Sequence, residues 1–448
     1  MPWRPLLEGT ASRSACESVR AILADLESWG REPSGDPSLA GGTAGLAVLH
    51  GYLAQAGLGP ESEAVARRCL RHATATLAER PGRASLYSGL TGVGWAMAHL
   101  LLEKGTGPFC AKHPWGRSGK MDLSPFPADD LAEIDEVLLD HLDQSPWSGE
   151  YDLIEGLVGC GVYALERLPR PGATACLGRV VDRLAETAEP QGNGVTWWTD
   201  PVWVAPETRA EYPRGYYNAG LAHGIPGVIG LLGRVCAAGV ARDKARSLLD
   251  GAVRWLLDQD GPESFPYWVA PGAAGDTARL AWCYGDPGVA AALLGAARHV
   301  DEPAWESAAL AIARRAAERP YEESGVKDAG LCHGSAGLAH LFNRMFQAPG
   351  EPRLAEAARS WFEQTLAMRR PGRGIGGYEA WESGGARSAD RGLLTGATGI
   401  ALALLAATTD IEPLWDRMLL VSISPRVPSE AVRTGSLPPL PGLQASQI

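Results

Sequence analysis

The sequence predicts an all-α fold, an α/α toroid in which an inner barrel of seven helices stands inside an outer barrel of seven. Three observations predict it. A Gly-x-x-Gly unit recurs seven times, its first glycines 47 to 68 residues apart, which is too long for one helix and suits a helix pair with loops. Each unit opens a run of small and aliphatic residues. Amphipathic stretches lie between the runs, and no convincing period-2 strand series appears.

The units are Gly42–Gly45, Gly89–Gly92, Gly156–Gly159, Gly224–Gly227, Gly285–Gly288, Gly334–Gly337 and Gly396–Gly399. The runs behind them, such as GLAVLHGYLAQ, GVGWAMAHLLL and GIALALLAA, are apolar on most sides, as a helix without a wet face should be. These are the inner helices. In the stretch from Ala241, residues Ala245, Leu248, Leu249, Ala252, Val253 and Leu256 follow one helical face, which marks an outer helix. Glu61 to Glu79, Pro303 to Glu318 and Pro352 to Met368 read the same way. The glycines serve tight turns and close packing at each helix start. If every inner helix starts at such a turn, all seven turns crowd one mouth of the barrel. The residues just before each unit then face a shared cavity, as loop residues on a rigid scaffold commonly do.

The chain has 448 residues, enough for a large core, and a net charge of -11 that makes nucleic acid an unsuitable partner. An acidic surface suits a basic peptide, but it also serves plain solubility. The 8 cysteines are scattered rather than spaced as a secreted disulfide framework, so a reducing, cytoplasmic setting is expected. Residues Met1 to Thr10 carry no signal-peptide pattern, and no apolar run is long enough to span a bilayer.

The two positions before each unit separate the copies. Copies one, two and seven offer Ala40-Gly41, Tyr87-Ser88 and Leu394-Thr395. Copy three has Ile154-Glu155 with Asp152 two residues earlier, copy four Ala222-His223, copy five Cys283-Tyr284 and copy six Cys332-His333. The chemically capable side chains therefore fall in four consecutive copies, where they can converge.

Zinc prefers thiolate and imidazole, usually four donors in a tetrahedron, and Cys283, Cys332 and His333 supply three. Adjacent residues diverge by about 100° on a helix, but at a Gly-rich turn they can face one ion. Three protein donors leave one position open, as catalytic zinc sites do. An isolated cysteine reads as a small buried hydrophobe. Two at the same repeat position, one beside a histidine, read as ligands, and the other six keep the hydrophobe reading. Zinc lowers the pKa of a bound thiol from about 8.5. Two protein thiolates already neutralise the ion, so a substrate sulfur added to them stays nucleophilic; thiol attack is favoured over hydrolysis. His223 is the best general acid or base, with Asp152 able to orient it or share its proton. Arg279, four residues before Cys283, either stabilises an oxyanion or forms a surface salt bridge. Tyr284 either donates a hydrogen bond or packs. His50, His72, His99, His113, His141, His299 and His340 lack such placement.

At these residues the sequence resembles the lanthipeptide synthetase C family, the lantibiotic cyclases. The resemblance lies in YPRGYYNAGLAHGIPG (Tyr212 to Gly227), RLAWCYGDPG (Arg279 to Gly288) and LCHGSAG (Leu331 to Gly337). YDLIEGLVG (Tyr151 to Gly159) and TGATGIALAL (Thr395 to Leu404) add to it, and it runs from the first repeat to about Leu420. WCYG with CHG is highly specific. The resemblance implies a toroid with zinc at its mouth on Cys283, Cys332 and His333. It implies His223 and Asp152 as catalytic residues, joined by Arg279 and Tyr284. The implied reaction is Michael-type addition of a peptide Cys thiolate to dehydroalanine or dehydrobutyrine, closing lanthionine or methyllanthionine rings. The implied partners are a precursor peptide with its leader, a separate dehydratase and a transporter complex. With no long dehydratase region before the toroid, a stand-alone cyclase is expected.

The toroid is expected over residues 1–420, with Lys104 to Pro127 a short insertion loop where such cyclases can carry a leader-holding element. A loosely ordered tail rich in Pro, Ser and Gly is expected over 421–448. The aromatic stretch Trp197 to Tyr217 lines the peptide cleft or caps the toroid. Two other readings compete: a LanC-like protein that binds or adds glutathione, and a non-catalytic peptide-binding scaffold.

Overall fold

The computed structural model describes residues 2–33, 35–80, 82–101, 130–270, 275–382 and 384–423. The expected insertion loop at 104–127 lies outside them. Every Gly-x-x-Gly unit opens a helix: α2 (Thr43–Gln55), α4 (Leu90–Leu101), α6 (Leu157–Arg167), α9 (Ile225–Ala238), α11 (Asp286–Val300), α13 (Ser335–Gln347) and α15 (Ala397–Thr408). Each neighbours the next in that order and α15 returns to α2, so the inner ring closes. Around it run α1 (Gly9–Arg31), α3 (Ser62–Glu79), α5 (Asp130–Leu142), α7 (Pro171–Thr187), α10 (Arg242–Leu257), α12 (Pro303–Glu318) and α14 (Pro352–Ala367). The fold is the expected α/α toroid. The N-terminus closes the outer ring: α1 packs on α15, the last inner helix.

The local chemistry explains the elements. Proline stands in the first turn of α7, α12 and α14, where its missing N–H costs nothing and its fixed φ suits a helix start. The second glycine of each unit sits over the carbonyl six residues earlier. A Cβ on Gly92 would overlap Leu86 O, and one on Gly337 would overlap Leu331 O. Close approach, rather than a positive φ, therefore explains these glycines. Inner helices also meet through small residues, as where Gly233 faces Ala296.

Short strands occur in the connections. Glu189–Gln191 pairs antiparallel with Gly194–Thr196, and Trp198–Thr199, Tyr216–Asn218 and Trp268–Val269 form a three-stranded sheet. The short helix α8 (Pro206–Glu211) lies within this region.

The barrel is filled, not hollow. A 3₁₀ turn at Leu414–Leu419 enters it as a plug, with Asp416 fully buried. Asp416 accepts hydrogen bonds from His340 Nε2 (2.9 Å) and Arg344 Nε (2.8 Å), both on α13. Arg417 approaches Glu166 of α6 at 3.5 Å, and Arg234 of α9 donates to Leu420 O and Ser422 O. Breaking a buried pair of this kind costs about 3–5 kcal/mol, because the surviving charge is stranded. Val421 and Ile423 are buried, so the described part of the expected tail packs against the core. Among the described residues no helix is long and apolar enough to cross a membrane.

Candidate metal centre and its proton-transfer pair

Backbone hydrogen bonds link the turns that precede the inner helices. Leu153 N donates to Ala222 O (3.1 Å), Ala222 N to Cys283 O (3.3 Å), Cys283 N to Cys332 O (3.2 Å) and Cys332 N to Leu394 O (2.7 Å). On the other flank Leu393 N donates to Ala40 O and Ala40 N to Tyr87 O. Copies three to six are thus hydrogen-bonded in series, which draws their chemical side chains together.

The turns have a shared device. Six residues before the first glycine, the side chains of Asp36, Asn218, Asp328 and Asp390 accept the amide of the residue two further on. This Asx turn shapes the chain before those four helices. Copies two, three and five place Arg83, Glu150 and Arg279 at that register instead.

The donor atoms of Cys283, Cys332 and His333 all lie within 4.8 Å of one another. Bonds of roughly 2.3 Å to sulfur and 2.0 Å to nitrogen would place donors within that span around one ion. Two soft sulfurs and an imidazole suit zinc, and His333 Nδ1 is buried without a hydrogen-bond partner. The residues therefore fit the ion that the sequence leads one to expect. Arg279 points Nη2 at Cys283 Sγ (3.9 Å). The Cys332 side chain, His333 and Arg279 hold the buried Cys283 thiol well below its usual range, while Cys332 is pushed up by that neighbouring sulfur and by burial. Elsewhere burial is the main cause: Cys69, Cys160 and Cys176 are pushed up to about 12. Cys16 and Cys236 are likewise free thiols, and Cys110 lies outside the described residues.

Beside the donors, His223 Nδ1 lies 2.5 Å from Asp152 Oδ2, while Asp152 Oδ1 takes the Glu155 amide at 2.8 Å. Burial opposes charge on His223, but the hydrogen bond and charge of Asp152, with help from Cys283 and Glu150, raise its pKa above 6.5. A cleft of about 360 Å³ is lined by Glu150, Asp152, Glu155, Trp203, Tyr216, His223, Trp268 and Tyr284, among others. The aromatic stretch Trp197 to Tyr217 therefore contributes to its wall. Tyr284 Oη accepts from Asn218 Nδ2 (3.1 Å), and its ring meets those of Tyr267 and Trp268 edge-on. Arg279 also borders a second groove, with Tyr267, Arg315 and Arg319.

The structure brings together all seven residues singled out from the sequence, and adds Glu150. Burial, then the charges of Asp152 and Glu155, push its carboxyl up to about 7. The signal lay in the repeat register, since Glu150 occupies the position that Arg279 holds two copies later.

Fold and site define a helical toroid whose mouth joins a cluster of two cysteines and one histidine, placed to hold a metal ion, to a carboxylate–imidazole pair. Residues 128–420 match the family described as "Lanthionine synthetase C-like protein", and the chain belongs to that family. Its structure resembles that of a nisin cyclase, with a TM-score of 0.69 at 20% identity over 90% of this chain and 96% of that one. The first two repeats precede the family match, so the toroid extends beyond it on the N-terminal side.

Proposed function

We propose that this chain is a zinc-dependent cyclase that adds peptide Cys thiolates to dehydroalanine or dehydrobutyrine, forming lanthionine or methyllanthionine rings. The observation that carries the reading is the hydrogen bond between Ala222 N and Cys283 O, which seats His223 beside the metal donors. Cys283, Cys332 and His333 would hold the ion. Zinc, when bound, supplies the acidity that keeps a substrate thiol nucleophilic at neutral pH.

The remaining work falls to the chain. The S–Cβ bond forms, and the alkene pair moves onto the α-carbon and carbonyl oxygen as an enolate. Arg279 places positive charge next to Cys283, where it can stabilise such an anion. His223 commits Nδ1 to Asp152, so Nε2 is the nitrogen that delivers the proton to the α-carbon. Its raised pKa favours the charged form that a proton donor takes. Tyr284 orients the cleft wall through Asn218. The aromatic lining of the cleft accommodates a peptide chain, and a dehydratase, a leader-bearing precursor and a transporter complex are the partners this reading entails. A reducing cytoplasm suits donors that must stay thiols.

The test is a dehydrated Ser/Thr/Cys peptide incubated with zinc-loaded protein. Ring closure leaves peptide mass unchanged but removes free thiols, so an alkylating reagent adds fewer groups. Protein that holds zinc and peptide yet leaves every thiol alkylatable overturns the proposal.

A further inference from the structure

The plug does more than fill the barrel. Its 3₁₀ turn presents two successive carbonyls toward the mouth. Met418 O accepts Tyr87 Oη (2.9 Å), and Leu419 O accepts Trp282 Nε1 (2.9 Å). The two rings meet edge-on, 6.1 Å apart. Trp282 is fully buried and immediately precedes Cys283. Its own amide and that of Cys283 both donate to Cys332 O. One short stretch is therefore tied at two levels, to the other cysteine by its backbone and to the plug by its indole.

We propose that Trp282 is a positioning residue for the metal site, holding Cys283 in register through its hydrogen bond to Leu419 O. The inference rests on the zinc reading above. The plug can serve as a fixed anchor because His340 and Arg344 of α13 hold its Asp416 and Arg234 of α9 holds the Leu420 carbonyl. A metal site gains affinity when its donors are held in place before the ion arrives, since less ordering is left for binding to oppose. Tyr87 makes the matching bond in copy two, whose mouth carries no donor, and so provides an internal control.

The experiment compares Trp282→Phe with Tyr87→Phe in the full chain. Each removes one donor to the plug, and thermal melts verify that both fold. Competition with a chromophoric chelator reads zinc affinity, and the cobalt-substituted proteins report ligand geometry through their visible absorption. W282F should bind zinc about five- to tenfold more weakly, the scale of one hydrogen bond, and should shift the cobalt bands. Y87F should leave both unchanged. Equal effects in the two variants, or no effect in W282F, overturn the proposal. Because W282F also removes buried ring volume, benzothienylalanine at position 282, which keeps the ring shape without the N–H, is measured alongside it and must show the same weakening; full zinc affinity in that variant overturns the proposal. Wild-type protein that binds no zinc would instead refute the metal reading itself.

Discussion

His223 Nδ1 and Asp152 Oδ2 stand 2.5 Å apart although 71 residues separate them in the chain. The contact follows from the turn-to-turn bond between Leu153 N and Ala222 O, which sets the two loops side by side. Asp152 is buried and its other oxygen is held by the Glu155 amide, so it sets the tautomer of the imidazole and favours its charged form.

The pH dependence follows in sign. In the proposed reaction the charged imidazole is the proton donor, and its pKa is raised above 6.5. Activity should therefore persist past pH 6.5 and fall as pH rises through the raised value. In Asp152→Asn the burial that opposes charge remains while its main counterweight is gone. The alkaline limb of kcat/KM should then move to lower pH. His223→Asn should lose about 10²–10⁴ in rate with zinc content unchanged. An unmoved limb in D152N would show that Asp152 does not set this pKa.

Glu150 gives a stability prediction of definite sign. Its carboxyl titrates near 7 in the folded chain against a usual value of 4.5. Between those values the folded state binds the proton more tightly. Its contribution is thus fully present below pH 4.5 and is lost as pH rises through about 7. Glu150→Gln keeps a neutral side chain at every pH. Its melting temperature should match wild type at pH 4, exceed it increasingly up to about pH 7, and hold that lead above. A lead already present at pH 4 would point to packing rather than titration.

Much of this was legible in the chain because the repeat turns local spacing into spatial position. Cys283, His223 and Asp152 were found by their offsets from glycines, and the toroid fixed where those offsets point. Glu150 escaped because it lies six residues before its unit, where four other copies carry the Asp or Asn of a structural turn. The plug escaped for a different reason. Leu414–Leu419 belongs to no repeat, and its apolar composition says only that it is buried, not that it runs inside the ring. The alternatives for Arg279 needed coordinates: its Nη2 faces Cys283 Sγ at 3.9 Å.

Removing donors tests the centre directly. Wild-type chain should hold one zinc, and Cys332→Ala and His333→Ala should lose it along with thiol consumption. Both should still fold, because the backbone bonds of Cys332 do not involve its side chain. Free zinc at a hundred times its Kd should stabilise wild type by about 2.7 kcal/mol and leave the variants' melting temperature flat. Cys69→Ala, on outer helix α3 and outside the donor cluster, should keep full zinc content. Metal analysis with melting curves checks all of these, and zinc retained in C332A would remove that residue from the ligand set.

The glycines give the most local prediction. Gly337 opens α13 directly behind His333, and a Cβ there would overlap the Leu331 carbonyl oxygen. That carbonyl is backbone and cannot rotate aside, so Gly337→Ala must displace the segment that carries Cys332 and His333. Overpacking of this kind costs about 1–3 kcal/mol. Here the same displacement should also weaken zinc binding. Gly178 makes the control: it lies on outer helix α7, and an added Cβ there meets nothing within 4 Å. With no clash, the helical preference for alanine decides, and Gly178→Ala should stabilise the chain by about 0.5–1 kcal/mol. Denaturant melts of the two variants, each with and without zinc, separate the effects. If G337A melted like wild type and kept its zinc, close approach at the helix start would not be what that glycine provides.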